Sequence, residues 1–439
     1  MSDSKEEAAK APVEKQKMTG KHIGFLLACC AMEFCCVAAW FNSAGIFYPG
    51  VSQEFNVGTG QIGLYMSISF FVTMFVLPPG GRLMEKRSCL AIYAATNIMM
   101  AAAFALNAAA PNVWFMYISG VLAGCMGAFD MYMIPVIMAR FFKERTGFFV
   151  GIAASMSGVG AAVWNIVIAM VIQGAGWRMG YLTLCIVVIV VVLPLTFLFV
   201  RSYPEQLGIR AYGEVLDDEE IRPDRTKSTI VHVSGADYAK VAKSPVIVLL
   251  VIMAMVAGMA VMMSQYLTSY AISVGYALTI GATMTSLSMI GNMLGKLLFS
   301  AAADKSTTLA VICPIVFPII GFLGLIFLGT VSPYIAIAAA FLYGTIQPSN
   351  TSILPLVVQN LFGDKDYGKI WSTISPFSSF ACGVGSSIWG FIYDASGTFF
   401  VIFIVGIILL LIRLVCYFIA LPIAKRIPHT EEDREVVNA

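Results

Sequence analysis

The sequence predicts an all-α membrane protein: twelve transmembrane helices in two pseudo-symmetric six-helix bundles, with both termini cytoplasmic. Three observations predict it. Of the 439 residues, 59% are hydrophobic and only 12% are charged, about half the charged share of a soluble domain. Apolar runs long enough to cross a bilayer, about 20 residues each, recur at roughly 22–49, 58–80, 89–109, 113–139, 147–173, 178–200, 244–272, 276–300, 307–328, 334–361, 370–393 and 398–422. A single long hydrophilic stretch, residues 201–243, divides these twelve runs six and six.

The first run follows a charged tail (Lys5, Glu6, Glu7, Lys10, Glu14, Lys15, Lys17, Lys21). It is too long for a cleavable signal and lacks an A-x-A end, so the tail is expected to be retained. Lys and Arg concentrate in cytoplasmic loops. With the amino terminus inside, the inner loops receive Arg82, Lys86 and Arg87, then Arg140, Lys143 and Arg145, the 201–243 cluster, Lys305, Lys365, Lys369, Lys425 and Arg426, while the outer loops receive only Arg178. The expected organisation is a tail (1–21), a first bundle (22–200), a cytoplasmic linker (201–243), a second bundle (244–422) and a second tail (423–439).

Nine of the ten cysteines lie inside apolar runs, Cys89 stands at the edge of the third, and no C-x-x-C occurs, so they read as small buried residues rather than metal ligands or disulfides. Nothing calls for a cofactor. Net charge is +2 and the basic residues are accounted for by topology, which leaves no nucleic-acid surface. G-x-S-x-G is absent and no His, Asp or Ser cluster has catalytic spacing, so no enzyme is expected. Trp114 and Trp177, at outer helix ends, are expected to anchor at the interface.

The two halves repeat. After the second run stands "GGRLMEKRS", with Gly81, Glu85 and Lys86; after the eighth stands "FSAAADKS", with Ser300, Asp304 and Lys305 at the same spacing. "FFKERTG" (142–147 with its lead residue Phe141) follows the fourth run and "LFGDKDYG" (361–368) the tenth. A duplicated six-helix unit is the plan of transporters whose halves rock about a midplane site. The chain resembles the major facilitator superfamily over nearly its whole length, and Gly81, Leu83, Glu85 and Lys86 resemble its G-x-x-x-D-R-x-G-R-R loop signature, with Glu for Asp and Lys for Arg. More narrowly, "NSAGIFYPGVSQEFNVGTGQIG", "ARFFKERTGFFVGIAASMSGVG", "GWRMGY", "PEQLGIRAYGE" and "GFIYDASGTF", in that order, resemble the oxalate/formate antiporter and monocarboxylate transporter branch.

Ionisable residues inside membrane spans are functional by default. Four stand out: Glu33, Asp130, Lys296 and Arg413. At 1.5 Å per residue, Glu33 and Asp130 lie about 15–18 Å from the cytoplasmic face and Lys296 about 12 Å. Thr285, Ser288, Asn292 and Lys296 share one narrow helical face, expected to border a wet cavity. The resemblance implies that Lys296 is the counter-charge for a substrate carboxylate, with Asn292 and Lys296 where the branch has Asp and Arg. It also implies a monoanion, because the eleventh run lacks a second basic residue. The branch's lysine in the first helix is replaced by Asn42.

Glu33 and Asp130 are outside the branch's pattern. Three roles stand open for them: a proton relay, a counter-charge for a cationic or zwitterionic substrate, and a static pair with Lys296 or Arg413. Arg413, in a run that is peripheral in this superfamily, reads as a structural buried charge, paired or snorkelling. "GTIQPSNTS" offers Gln347 and Asn350 as substrate amides or as packing hydrogen bonds.

The expected function is secondary active transport of a small organic anion, a monocarboxylate, by alternating access, coupled to protons or by exchange. Glu85, Lys86, Asp304 and Lys305 would gate the cytoplasmic side together with Gly81. Efflux of amphipathic compounds and a non-transporting membrane sensor or receptor are the alternatives. The expected setting is the lipid bilayer of a bacterial-type plasma (inner) membrane, where the chain acts as a monomer on a small-molecule substrate.

Overall fold

In a computed structural model, residues 15–86, 88–214, 228–363 and 365–437 are described. Helix α1 (Gly20–Met32) continues as a π-helical stretch, Glu33–Asn42, and ends in a short turn at Ala44–Ile46. There follow α2 (Tyr48–Phe55), α3 (Thr59–Lys86), α4 (Cys89–Ala108), α5 (Val113–Phe141), α6 (Thr146–Ala175), α7 (Trp177–Val187) and α8 (Leu193–Phe199). After the linker strand β1 (Ser228–Ala236) come α9 (Tyr238–Lys243), α10 (Val246–Met262), α11 (Leu267–Ser273), α12 (Leu278–Lys305), α13 (Thr307–Phe327), α14 (Pro333–Gly344), α15 (Leu354–Phe362), α16 (Tyr367–Ser396), α17 (Phe399–Ala424) and strand β2 (His429–Val437).

Among the described residues, nine helical segments are long and apolar enough to cross a membrane. Helix α12, the broken α14–α15 run and α16 are not among them. Helix α12, with Asn292, Lys296 and several hydroxyls, and α16, with its series of serines, are long but polar, whereas α14 and α15 are each too short, with Gln347 and Asn350 in the break between them.

The packing repeats along the chain. Helix α3 lies on α5, α5 on α4, α4 on α7, and α6 on the π-helical stretch. In the second half α12 lies on α14, α14 on α13, α13 on α17, and α16 on α10. Lipid gives apolar helices no hydrophobic reason to associate, so close contact at small residues has to supply the attraction. The repeat keeps those residues: a Cβ at Gly120 would strike the Tyr65 carbonyl across α5 and α3, and one at Gly344 would strike Ser288 across α14 and α12.

The described parts of the linker and of both tails share one face of the molecule with two loops. Phe142 pairs with Tyr212 in an isolated bridge, Tyr212 N donates to Phe141 O at 2.9 Å, and Gln16 N donates to Glu214 O at 2.7 Å. The later part of the linker is held in the same manner by the other half. Strand β1 pairs antiparallel with β2, Gly235 bridges Gly363, and Tyr238 N donates to Asp366 Oδ2 at 3.0 Å. The two repeated loops, "FFKERTG" and "LFGDKDYG", are therefore the clamps that hold the two ends of the linker.

The halves touch through α3 with α16 and α6 with α12. Their shared hydrogen bonds join Thr59 and Gly60 to Asp394, Ser67 to Ser387, Gln265 to Phe41 and Gly45, and Ser286 to Ala162. All of these lie in the part of the molecule away from the linker. Among the described residues no hydrogen bond joins the halves nearer the linker face.

Asp237 anchors the second tail. Its carboxylate bonds Lys240, Lys365 at 2.8 Å and the Thr430 hydroxyl at 3.0 Å, and these partners hold it well below the usual carboxylate range. A depressed native pKa means that the stabilisation is complete above the unfolded value of about 4 and is lost as pH falls below it. Asp237→Asn is therefore expected to speed hydrogen exchange of β1 and β2 severalfold at pH 7. After correction for intrinsic rates, the wild type should approach the variant below about pH 4; equal protection of the two at pH 7 would contradict the anchor.

Candidate functional site

Glu33 begins the π-helical stretch. A π turn takes one extra residue per turn and re-aims every side chain after it, a distortion concentrated at functional sites. The Glu33 carboxyl is buried, reaches Ser157 of α6, and lies in the fields of Asp130 and Lys296. Asp130, on α5, is also buried, and its Oδ1 has no hydrogen-bond partner within the protein. Tyr93 and Cys29 adjoin one another and both lie in the field of Asp130, and the Tyr93 hydroxyl lacks a partner of good geometry.

Lys296 comes from the other half and is half-buried on α12. It lies in the field of Glu33, yet no ion pair joins it to either acid. The polar stripe above it is not all wet, contrary to expectation. Thr285 Oγ1 meets Thr268 Oγ1 at 3.3 Å, Ser288 Oγ donates to Thr285 O at 2.7 Å, and the Ser288 backbone is pressed against Gly344. Those two residues serve helix packing. Lower down, Asn292 is buried with Oδ1 unpartnered, one turn from Lys296.

The α14–α15 break separates the two candidate amides. Asn350 is committed to α16: its Oδ1 accepts from the Ser378 hydroxyl and its Nδ2 lies 3.8 Å from Cys382 Sγ. Gln347 makes one long contact, Nε2 to Ser264 Oγ at 3.5 Å. Arg413 neither snorkels nor pairs with an acid among the described residues. It is 0% exposed, donates from Nη2 to Ser349 O at 2.9 Å, and leaves Nε and Nη1 without a protein partner. The Ser349 carbonyl belongs to the π turn Ser349–Ile353 just after Pro348, where the proline loosens the ordinary helical ladder.

Asn42 closes the first π-helical stretch and donates to Ser157 O at 3.5 Å. Trp114 is exposed as an interface anchor would be, whereas Trp177 is buried, its Nε1 donating to Glu54 Oε2 at 2.6 Å. It packs under the Arg178 guanidinium, which also pairs with Glu54. The side chains of Glu85, Lys86, Asp304 and Lys305, and the surroundings of Gly81, lie outside what is described. Among the described residues no cluster of His, Cys, Asp and Glu could hold a metal ion.

Sequence reasoning missed Ser157, Tyr93 and Gln265. Ser157 and Tyr93 carry no signal beyond being polar in an apolar run. Gln265 could have been found as an uncharged amide in "VMMSQYL", where an unanswered amide would be costly.

The sequence profile of the Major Facilitator Superfamily matches residues 29–386. The chain belongs to the major facilitator superfamily, as an integral multi-pass membrane protein of a transporter family and not an enzyme. Monocarboxylate transporter 12 of Mus musculus is 24% identical over 293 residues, covering 64% of this chain and 60% of that protein, so the match spans less than two thirds of the relative's length. An MFS-type transporter of Gibberella moniliformis is 24% identical over 379 residues, covering 82% and 84% of the two chains. Two solved structures share the fold. A mutant of the nucleoside transporter NupG has a TM-score of 0.70 at 12% identity, covering 92% of this chain and 100% of that one. An inward-facing, occupied bacterial homolog of the human lysosomal transporter Spinster has a TM-score of 0.64 at 12% identity, covering 94% and 98%.

The two amides are separable by experiment. Asn350→Ala is expected to cost about 1 kcal/mol or more by orphaning Ser378, read as a lower melting temperature in detergent. Gln347→Ala should stay within about 0.5 kcal/mol of wild type. Equal losses in the two variants would contradict the assignment.

Proposed function

We propose that this chain is a secondary active transporter of a small organic anion, a monocarboxylate, acting as a monomer in a bacterial-type plasma membrane. Twelve spans in two six-helix bundles rock about the midplane, with the linker face and both termini cytoplasmic. Lys296 is the counter-charge for the carboxylate, Asn292 and Gln347 orient the substrate, and Glu33 and Asp130 carry protons that couple transport to a gradient or to exchange. Gly81, Glu85, Lys86, Asp304 and Lys305 form the cytoplasmic gate motifs.

One observation carries this reading. Opposite charges approach the middle of the molecule from the two halves without closing on one another. A static pair would bring the Lys296 ammonium into contact with a carboxylate, because an uncompensated charge in the membrane costs several kcal/mol. Instead the Lys296 ammonium, half-buried, forms no ion pair with Glu33 or Asp130, and the Asp130 Oδ1 and the Asn292 Oδ1 have no hydrogen-bond partner, which supports a site whose groups receive a ligand and a proton. The similarity to a protein named monocarboxylate transporter 12 and the absence of a second basic residue from the eleventh span support a monoanion.

Uptake of short monocarboxylates by proteoliposomes tests the proposal. Lys296→Gln is expected to lower uptake on the order of 30-fold, the cost of removing one member of a buried charge pair, with partial recovery in Lys296→Arg. Glu33→Gln or Asp130→Asn should lose acceleration by an inward proton gradient while keeping anion exchange. Wild-type rate and affinity in Lys296→Gln would overturn the anion assignment, and full gradient-driven uptake in both acid variants would overturn the proton role.

A further inference from the structure

Two of the sequence stretches with no part in the midplane site meet at the face opposite the linker: "NVGTGQIG" (56–63) and "GFIYDASGTF" (390–399). Helix α3 begins at Thr59, and the Gly58 carbonyl accepts its first helical hydrogen bond, from Ile62 N at 3.2 Å. Gly58 thus holds the cap position, where a Ser, Thr, Asp or Asn side chain would usually satisfy the free N–H groups of the first turn. Glycine has no side chain to offer.

Asp394 of α16 supplies what Gly58 lacks. Its Oδ1 accepts from Thr59 N at 3.0 Å and from the Thr59 hydroxyl at 2.8 Å, and its Oδ2 accepts from Gly60 N at 2.9 Å. The negative charge also faces the positive end of a helix of 28 residues. Two glycines make the approach possible: a Cβ at Gly60 would strike Phe391, and one at Gly390 would strike the Thr59–Gly60 backbone. A cap within one half would survive any motion of the halves. This one spans them and breaks whenever they part at this face.

We propose that Asp394 is a helix cap supplied across the interface that holds this face shut, and that it sets the balance between the two access states. It is a positioning residue and touches no substrate. The proposal does not depend on which anion is carried or on whether protons are coupled, and its test uses no substrate, so its failure is distinguishable from failure of the transport assignment.

The test is hydrogen–deuterium exchange on the full-length protein in lipid nanodiscs. In Asp394→Ala, amides of 59–66 and 386–394 are expected to exchange roughly tenfold faster, since a lost cap is worth about that factor in equilibrium. Amides at the linker-face ends of α6 and α16 (146–155 and 367–376) should exchange roughly tenfold slower, as that face closes. The slowing is the decisive readout, because local fraying of α3 would not produce it. Faster exchange at 59–66 with no slowing at the linker face would overturn the proposal, as would no change at either face. Thr59→Val, which removes only the hydroxyl donor, should shift both regions in the same directions by a smaller factor, and it takes the place of Asp394→Ala should that variant not fold; an unchanged linker face in Thr59→Val would then overturn the proposal.

Discussion

A full charge in the membrane interior costs several kcal/mol unless something answers it, and the middle of this molecule is arranged around that cost. Glu33 and Asp130 stand in the first half of the chain and Lys296 in the second; Glu33 lies in the fields of both Asp130 and Lys296, and no ion pair joins Lys296 to either acid. Holding such groups apart takes rigid surroundings. Gly120 against Tyr65, Gly160 against Phe34 and Gly344 against Ser288 bring helix backbones close enough for dispersion to fix them. The charges are thus held by packing within each half, which leaves the space between the halves free to change.

Irregular backbone adds polar contacts to those that the carbonyls of regular helices accept. An α-helix engages its own N–H and C=O groups, so a polar side chain inside a bundle takes either the second lone pair of a helical carbonyl, as Ser286 does at Ala162 O at 2.8 Å, or a carbonyl freed where the ladder is disturbed. Two of the three π-helical stretches among the described residues are such places, the third, Val188–Val192, being wholly apolar. One starts at Glu33, and the other presents the Ser349 carbonyl to Arg413. The break between α10 and α11 places Gln265 where its amide donates to Phe41 O at 2.6 Å and accepts from Gly45 N at 2.8 Å, across the interface and next to the end of the first π-helical stretch. The π turn at Ser349 and the break between α10 and α11 are thus each tied to a polar side chain, Arg413 in one case and Gln265 in the other.

Much of the architecture was legible in composition, because hydropathy and the distribution of Lys and Arg report directly on the solvent each segment faces. The repeated loops were legible as a pattern, although their work as linker clamps was not: Tyr212, Gly235 and Gly363 bond through backbone, which carries no residue signature. Rise per residue put Glu33, Asp130 and Lys296 at similar depths along their helices, and Glu33 lies in the fields of both Asp130 and Lys296. Azimuth was less readable. Thr285 and Ser288 share a face with Lys296 in helical projection, yet neighbouring helices cover Thr285 and Ser288 and leave Lys296 only half-buried, a fact of tertiary packing that periodicity does not contain. Arg413 illustrates the same limit: its neighbour is a carbonyl exposed by a π turn, and no local pattern announces that turn.

The repeat conserves packing and breaks symmetry in charge, and this asymmetry bears on how the proposed cycle would be coupled. With all three groups ionised, two acids and one base leave the site with one net negative charge, so an arriving anion meets Lys296 against the repulsion of Glu33 and Asp130. A proton on either acid removes part of that repulsion. Binding free energies are reciprocal, so a proton that eases anion binding is itself bound more readily once the anion is in place. Glu33 and Asp130, outside the pattern of the transporter branch the chain resembles, would therefore tie proton to anion through charge alone, with no contact between the two ligands required.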